Sequence, residues 1–361
     1  MDIKIGTHTI GYNHPTYFIA DISANHDGDL ERARMLIRLA KESGADAAKF
    51  QNFRASKIVS DYGFKSLGGQ ISHQASWKKT VFEVYADASL PLDWTPILKE
   101  ECDNVGIDYF SSPYDFEAVD TLDPYVPAHK IGSGDITWLE MLVYIAQKGK
   151  PVILSTGASD IGEVQKAVHT ILRIQTTLTI SPQLVLMQCN TNYTASLDNF
   201  NHIHLRVLDG YKTLFPDVVL GLSDHTHGHA TILGGVALGA RVIEKHFTDD
   251  TGRVGPDHSF SMTPPTWRDM VDRTRELECA LGSANKFVTD NEQHTVIVQR
   301  RCLRTARDIY TGEVFTRAMI DVLRLATPGG ILPQYIFEVI GTRALQDIPA
   351  GKEIKWTDLG A

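Results

Sequence analysis

Cysteine is scarce in this chain. Cys102, Cys189, Cys279 and Cys302 are its four, scattered over 361 residues with no CxxC pair. That spacing argues against a disulfide framework or a structural zinc ribbon and suits a reducing compartment, so a cytoplasmic location is expected. Positive charge is also short: 35 Lys and Arg stand against 44 Asp and Glu, for a net charge of −9. Such a balance gives no general attraction for phosphate polymers or anionic lipid, and neither a nucleic-acid nor a membrane partner is expected. No apolar run approaches the roughly 18 residues of a membrane helix, and residues 1–16 lack the basic-then-apolar pattern of a signal peptide. No GxGxxG follows a first strand, which counts against a dinucleotide fold. Any phosphate must therefore be bound locally.

What is present is a regular alternation. Short apolar runs that read as strands fall at 17–22, 45–50, 108–112, 128–131, 151–155, 184–188, 218–222 and 241–246. Helical patterns lie between or after them at 30–43, 92–105, 139–148, 162–174, 228–238 and 265–281. Several are followed by a glycine suited to a left-handed cap: Gly44, Gly106, Gly149, Gly239 and Gly282. Eight strand–helix repeats over roughly 270 residues predict an α/β chain built as a (β/α)8 TIM barrel, with a doubly wound open sheet as the runner-up. Residues 53–89 exceed a simple βα loop and read as an excursion covering one mouth of the barrel. Past Ala284 the pattern changes to short runs separated by turns, which predicts a small β-rich domain. The expected division is 1–283 for the barrel, 284–300 for a linker and 301–361 for the small domain. Within the latter, residues 308–313 and 347–353 resemble each other, suggesting a near-duplication.

In a barrel of this kind chemistry sits at the carboxyl ends of the strands, and here those ends are polar. The last two runs each end in a histidine, His225 in Ser223-Asp224-His225-Thr226 and His246 in Lys245-His246-Phe247. One helix-sized segment separates them, so parallel pairing brings both imidazoles to the same rim, where two neutral rings can bind a divalent metal and leave room for substrate. Either histidine alone could instead serve a buried backbone group. Lys49 and Lys130, each inside an otherwise apolar strand, need an anionic counterpart, and a small polyanion is the simplest. Hydroxyls and backbone N–H groups at 132–134 and 155–157 can hold phosphate oxygens. His227 and His229 are expected to begin the following helix.

The strings FIADISANHDGDLERARMLIRLAKESGADAAKFQ, SSPYD, HKIGSGD, PVILSTG, VLGLSDHT, EKHFT and RVGPDHSFSM, with IGTRALQDIPAGKEI near the end, resemble the sialic acid synthase family over nearly the whole chain. The resemblance implies a (β/α)8 barrel followed by a small antifreeze-like (SAF) domain. It also implies condensation of phosphoenolpyruvate with an N-acetylated aldose to a nine-carbon 2-keto sugar acid, with phosphate released. It further implies a swapped homodimer in which that domain covers the other subunit's site. Carried over residue by residue, His225 and His246 match the ligands of a divalent metal, usually manganese, with magnesium or cobalt as alternatives. Lys49 and Lys130 match the lysines around phosphoenolpyruvate, and Ser112, Ser133 and Ser155 match its hydroxyl contacts. Gln51 and Tyr193 match positions near the reacting carbons and the acceptor.

Departures from the family pattern fall on the acceptor side. The strand-one glutamate is Asp21, and the glutamate after KIGSG is Asp135. An asparagine of the covering loop aligns with Ser76, and another, two positions before the strand-six tyrosine, is Thr191, with Asn190 and Asn192 beside it. The arginine of an RPG string that meets the acceptor's N-acetyl group is Thr327, with Arg324 nearby but out of register. Asp257, beside His258, is a further acceptor-side candidate. The aldose therefore stays open between N-acetylmannosamine and a deoxy-diacetamido hexose of the legionaminic or pseudaminic type. Two other readings are a Schiff-base aldolase using Lys49 or Lys130 and a sugar-binding protein with a degenerate barrel.

Overall fold

Hydrogen-bonded ladders join eight strands of the computed structural model, which describes residues 2–360, into one parallel sheet. They are β3 (Tyr17–Asp21), β4 (Ala47–Asn52), β5 (Asp108–Pro113), β6 (His129–Ile131), β7 (Val152–Ser155), β8 (Leu184–Cys189), β9 (Val219–Asp224) and β10 (Val242–His246), after a short antiparallel hairpin of β1 (Asp2–Ile5) and β2 (His8–Gly11). The lateral order is β5-β4-β3-β10-β9-β8-β7-β6, and the end strands β5 and β6 touch, so the sheet curls into a nearly closed (β/α)8 barrel. All eight strands expected from sequence are present, with limits shifted by a residue or two. The leading hairpin was not anticipated. Nor were the helices Phe116–Leu122 and Val207–Leu214, which at 7 and 8 residues are too short to show a clear helical period.

Alternation along the strands sorts the core into two bodies. Outward positions such as Phe18, Ala20, Ala48, Phe50, Leu154, Leu186, Leu222 and Ile243 join the helices in a large apolar shell. Inward positions at the amino-terminal ends, Ile19, Ala47, Phe110, Ala128, Ile153, Val185, Val219 and Val242, form a second cluster. The hairpin supplies Ile3, Ile5 and Ile10 to that cluster and so fills the bottom of the barrel. Two residues further along the same inward rows come Asp21, Lys49, Ser112, Lys130, Ser155 and Glu244. Apolar filling thus gives way to charge as the strands approach their carboxyl ends. At Gly221 a Cβ would lie 2.8 Å from the Val242 carbonyl oxygen and 2.9 Å from Met187 Cγ, so only glycine fits that row.

Helix limits follow local chemistry. Asp29 accepts from the Glu31 and Arg32 N–H groups to start Leu30–Glu42, and Asp160 with Glu163 forms a capping box on Ile161–Thr177. Gly106 closes Trp94–Val105 in the left-handed region, at φ 73° and ψ 48°. The excursion at 53–89 holds the short helices Ala55–Ile58, Asp61–Ser66 and Val81–Ala88, the last begun by a Thr80–Glu83 capping box.

A second unit begins at Ser283. The 284–300 segment, expected as a linker, carries the helix Gln293–Gln299, and the Ile297 carbonyl accepts from Ala326 N at 2.9 Å. Beyond it, β11 (Arg301–Thr305) pairs with β12 (Ile320–Arg324) and β13 (Arg343–Ala344) with β14 (Leu359–Gly360), around a small core that includes Leu303, Ile309, Phe315, Val339 and Ile348. The two similar strings meet: Ile309 and Ile348 exchange backbone hydrogen bonds of 2.9 and 2.8 Å. Asp308 accepts from Ala350 N at 2.8 Å while Asp347 accepts from Thr311 N at 2.7 Å, so each string braces the turn of the other.

Candidate active site

The polar rim is organised around one carboxylate. Glu244 on β10 lies 3.7 Å from Lys49 Nζ and 3.6 Å from Lys130 Nζ through the same oxygen, which also accepts from the Ser223 hydroxyl at 3.2 Å. Lys49 donates to Asp21 at 2.6 Å, and Lys130 donates to Ser155 Oγ at 2.8 Å and to the Ile131 carbonyl at 3.1 Å. All four charged side chains are buried. Two ammoniums and two carboxylates balance, so the anionic counterpart expected of a ligand is supplied by the chain itself, and a bound polyanion would have to share or displace Asp21 and Glu244. Burial, the largest influence on Lys49, pulls its pKa down, but Asp21 and Glu244 outweigh it and hold the amine above its ordinary value. At Lys130 burial prevails and the pKa falls, with Glu244 opposing.

The histidine pair stands beside this cluster. His225 and His246 have ring centroids 5.4 Å apart, and Tyr193 lies 4.3 Å from the first ring and 6.2 Å from the second. His225 Nδ1 is 2.8 Å from the Asn190 carbonyl. A carbonyl only accepts, so Nδ1 carries the proton and Nε2 keeps its lone pair. Burial, then the neighbouring His246, lowers the His225 pKa to about 3, so the ring is neutral at ordinary pH. His246 Nε2 lies 3.6 Å from Asp21 and its Nδ1 3.8 Å from Asp257; Nδ1 is buried without a hydrogen-bond partner. Both rings therefore keep a nitrogen able to bind a cation. Among the described residues no cluster of three or more His, Cys, Asp or Glu is spaced to hold a metal ion.

A cavity of about 520 Å³ opens onto the rim. It is lined by Gln51, Ser133, Asp135, Thr191, Tyr193, His246 and Asp257, by Phe53, Ile58, Trp77 and Tyr85 of the 53–89 excursion, and by Tyr114 just after β5. The excursion thus lines the site it was expected to cover. Burial raises Asp135 to about 6 despite Lys130, and burial keeps the Tyr193 phenol protonated far above neutral pH. Ser133 Oγ accepts from Gly157 N at 2.9 Å, tying two phosphate-loop candidates together. Asp257 accepts from the Ser23 hydroxyl at 2.5 Å and from Ala24 N at 3.3 Å.

The remaining candidates are placed as follows. Ser112 is buried on β5, in register with Gln51. Asn190 meets His225 through its backbone, while its side-chain amide donates to the His202 carbonyl at 3.1 Å. The Ser76 side chain lies outside the described residues. Thr327 belongs to the second unit, where its hydroxyl accepts from Arg304 at 2.9 Å. His227 and His229 are engaged elsewhere, with the Ala195 carbonyl at 2.9 Å and with Asp269 at 3.1 Å. Sequence reasoning left Glu244 out of the site, and with it the cavity-lining Ser23, Tyr85 and Tyr114. The signal for Glu244 was the two-residue period: once His246 faces the barrel interior, Glu244 must do so as well.

Comparison with known proteins bears on the family and the fold. Residues 36–286 match the NeuB family and residues 300–360 the SAF domain. The chain is 35% identical to the N,N'-diacetyllegionaminic acid synthase of Legionella pneumophila over 354 residues, covering 97% of this chain and 96% of that protein. It is 34% identical to the N-acetylneuraminate-9-phosphate synthase of Homo sapiens, covering 93% and 90%. The solved spore coat polysaccharide biosynthesis protein SpsE of Bacillus subtilis aligns over 100% of this chain and 99% of its own at 32% identity, with a TM-score of 0.64. Barrel, polar rim and small second unit have one explanation in common: the chain belongs to the NeuB family and carries a SAF domain.

Proposed function

We propose that this protein joins phosphoenolpyruvate to an acetamido-aldose, forming a nine-carbon 2-keto sugar acid and inorganic phosphate. The observation that carries the reading is the pair of buried lysines sharing Glu244 directly beside two imidazoles with available nitrogens. Lys49 and Lys130 hold the phosphate and carboxylate of the enol phosphate, with Ser133, Ser155 and the Gly157 N–H on its oxygens. Gln51 and Tyr193 border the reacting carbons, and Asp135, Thr191 and Asp257 take acceptor hydroxyls. Fixing both substrates in this way converts the encounter into an intramolecular one and screens the developing charge.

Carbon 3 of the enol attacks the aldehyde carbon; a C–C bond forms and the aldehyde oxygen gains a proton. Water adds to carbon 2, and Asp21, beside Lys49 and His246, accepts its proton. The C2–O bond to phosphate then breaks as the C2 hydroxyl gives its remaining proton to the departing phosphate oxygen, leaving the ketone and releasing phosphate; the proton that Asp21 took from water replaces the one the aldehyde oxygen gained. His225 and His246 would hold a divalent cation, manganese foremost, with magnesium or cobalt able to replace it, and when bound it supplies Lewis-acid polarisation of the aldehyde. The proposed setting is a cytoplasmic homodimer in which the second unit of each chain, with Thr327, covers the site of the other. Among the described residues no helix is long and apolar enough to cross a membrane.

The acceptor is an acetamido hexose, either N-acetylmannosamine or a deoxy-diacetamido hexose. The test is phosphate release from phosphoenolpyruvate with N-acetylmannosamine and with the two deoxy-diacetamido hexoses. Release that requires one of these sugars and is lost on chelation is the expected result. No release with any of the three would reject the proposal.

A further inference from the structure

Lys245 is a lysine the reaction does not use, and its side chain is 1% exposed. It lies between Glu244 and His246 on β10, so strand alternation sends it to the opposite side of the sheet from both. There it pairs with Asp224, its register partner at the end of β9. Its ammonium also donates to the Thr226 carbonyl at 2.5 Å. The same Asp224 oxygen accepts from the hydroxyls of Thr226 at 2.8 Å and Thr231 at 2.9 Å, and Thr231 lies in the first turn of the helix Ala230–Ala237. One buried ammonium therefore fastens the residues immediately before and after His225, and Thr231 ties that turn to the next helix.

An ion pair sealed from water gives little or no net stability over a well-packed apolar pair, because desolvation offsets the attraction. Its worth here is geometric. The turn that carries His225 leaves the ladder at Asp224, and beyond that point strand pairing no longer fixes it. We propose that Lys245 is a positioning residue that sets the His225 ring in its binding orientation, acting through Asp224 and Thr226 from outside the barrel lumen. This rests on the reading of His225 as a cation ligand.

The test is the paired variant Asp224→Asn/Lys245→Met, which removes both charges together so that neither is left buried alone. The expected result is a cooperative thermal transition, a crystal structure in which the His225 Nδ1–Asn190 bond is lost and the ring shifts by about 1 Å, and Mn2+ affinity lowered about tenfold in a paramagnetic-resonance titration of the substrate-free protein. Phosphoenolpyruvate binding measured without metal should be unchanged, which separates a displaced histidine from general damage. A ring that stays on Asn190 overturns the inference. Should the paired variant not fold, Lys245→Gln removes the ammonium while Asp224 keeps the Thr226 and Thr231 hydroxyls as donors, and is expected to shift the ring in the same direction with roughly threefold weaker Mn2+ binding; an unmoved ring there overturns it equally. If Mn2+ binding in the parent protein survives His225→Ala, the ligand reading fails, and the ring position in the variants still decides the role of Lys245.

Discussion

Replacing Lys130 by Met removes one ammonium from the rim and keeps most of the side-chain volume. Glu244 then retains Lys49 at 3.7 Å and the Ser223 hydroxyl at 3.2 Å, so no carboxylate is stranded, and Ser155 loses one donor. The fold should tolerate the change, since the lysine's own desolvation penalty is removed with it. Binding should not. A charge-assisted hydrogen bond is worth about 1.5–3 kcal/mol, and tenfold in affinity corresponds to about 1.4 kcal/mol. Phosphoenolpyruvate should therefore bind roughly 10- to 150-fold more weakly by isothermal titration calorimetry of the metal-free protein, with the melting temperature little changed. Affinity within about threefold of the parent would refute the assignment of Lys130 to the enol phosphate.

Other expectations follow from particular residues. Burial raises Asp135 to about 6 from an unfolded value near 3.8, so its contribution favours the fold below pH 4 and is lost as pH rises through 6. Asp135→Asn should melt at the same or a higher temperature than the parent at pH 7, the difference vanishing near pH 4, and should abolish any rise in the aldose KM below pH 6. At Gly157 an added Cβ would lie 2.5 Å from Thr191 Cγ2 and 2.9 Å from Ser133 Oγ. Gly157→Ala should accordingly cost about 1–3 kcal/mol in urea denaturation and raise the phosphoenolpyruvate KM. Borohydride with pyruvate should add no mass at Lys49, since Asp21 and Glu244 hold it as an ammonium; a trapped adduct on Lys49 would favour the aldolase reading.

The barrel was legible because its signal is repeated: each strand is a short apolar run, and glycines expected to end helices, such as Gly44 and Gly106, adopt positive φ. The excursion was recognised by its length alone, since the helices Ala55–Ile58 and Asp61–Ser66 are too short to show a helical period. In the site, Lys49, Lys130 and the two histidines stood out as polar residues in apolar strands. Glu244 did not, because its place beside His246 on the inward row shows only once the face of the strand is known. Lys245 was hidden for the complementary reason. Adjacent to a site residue, it serves the opposite face, and only the contact with Asp224 reveals what it does.

The most direct measurement is a crystal soaked with phosphoenolpyruvate and manganese. The account predicts anomalous density for the ion between the His225 and His246 rings, and the phosphate and carboxylate of the enol against Lys49 and Lys130. An ion bound away from both imidazoles, or an enol phosphate touching neither lysine, would contradict it.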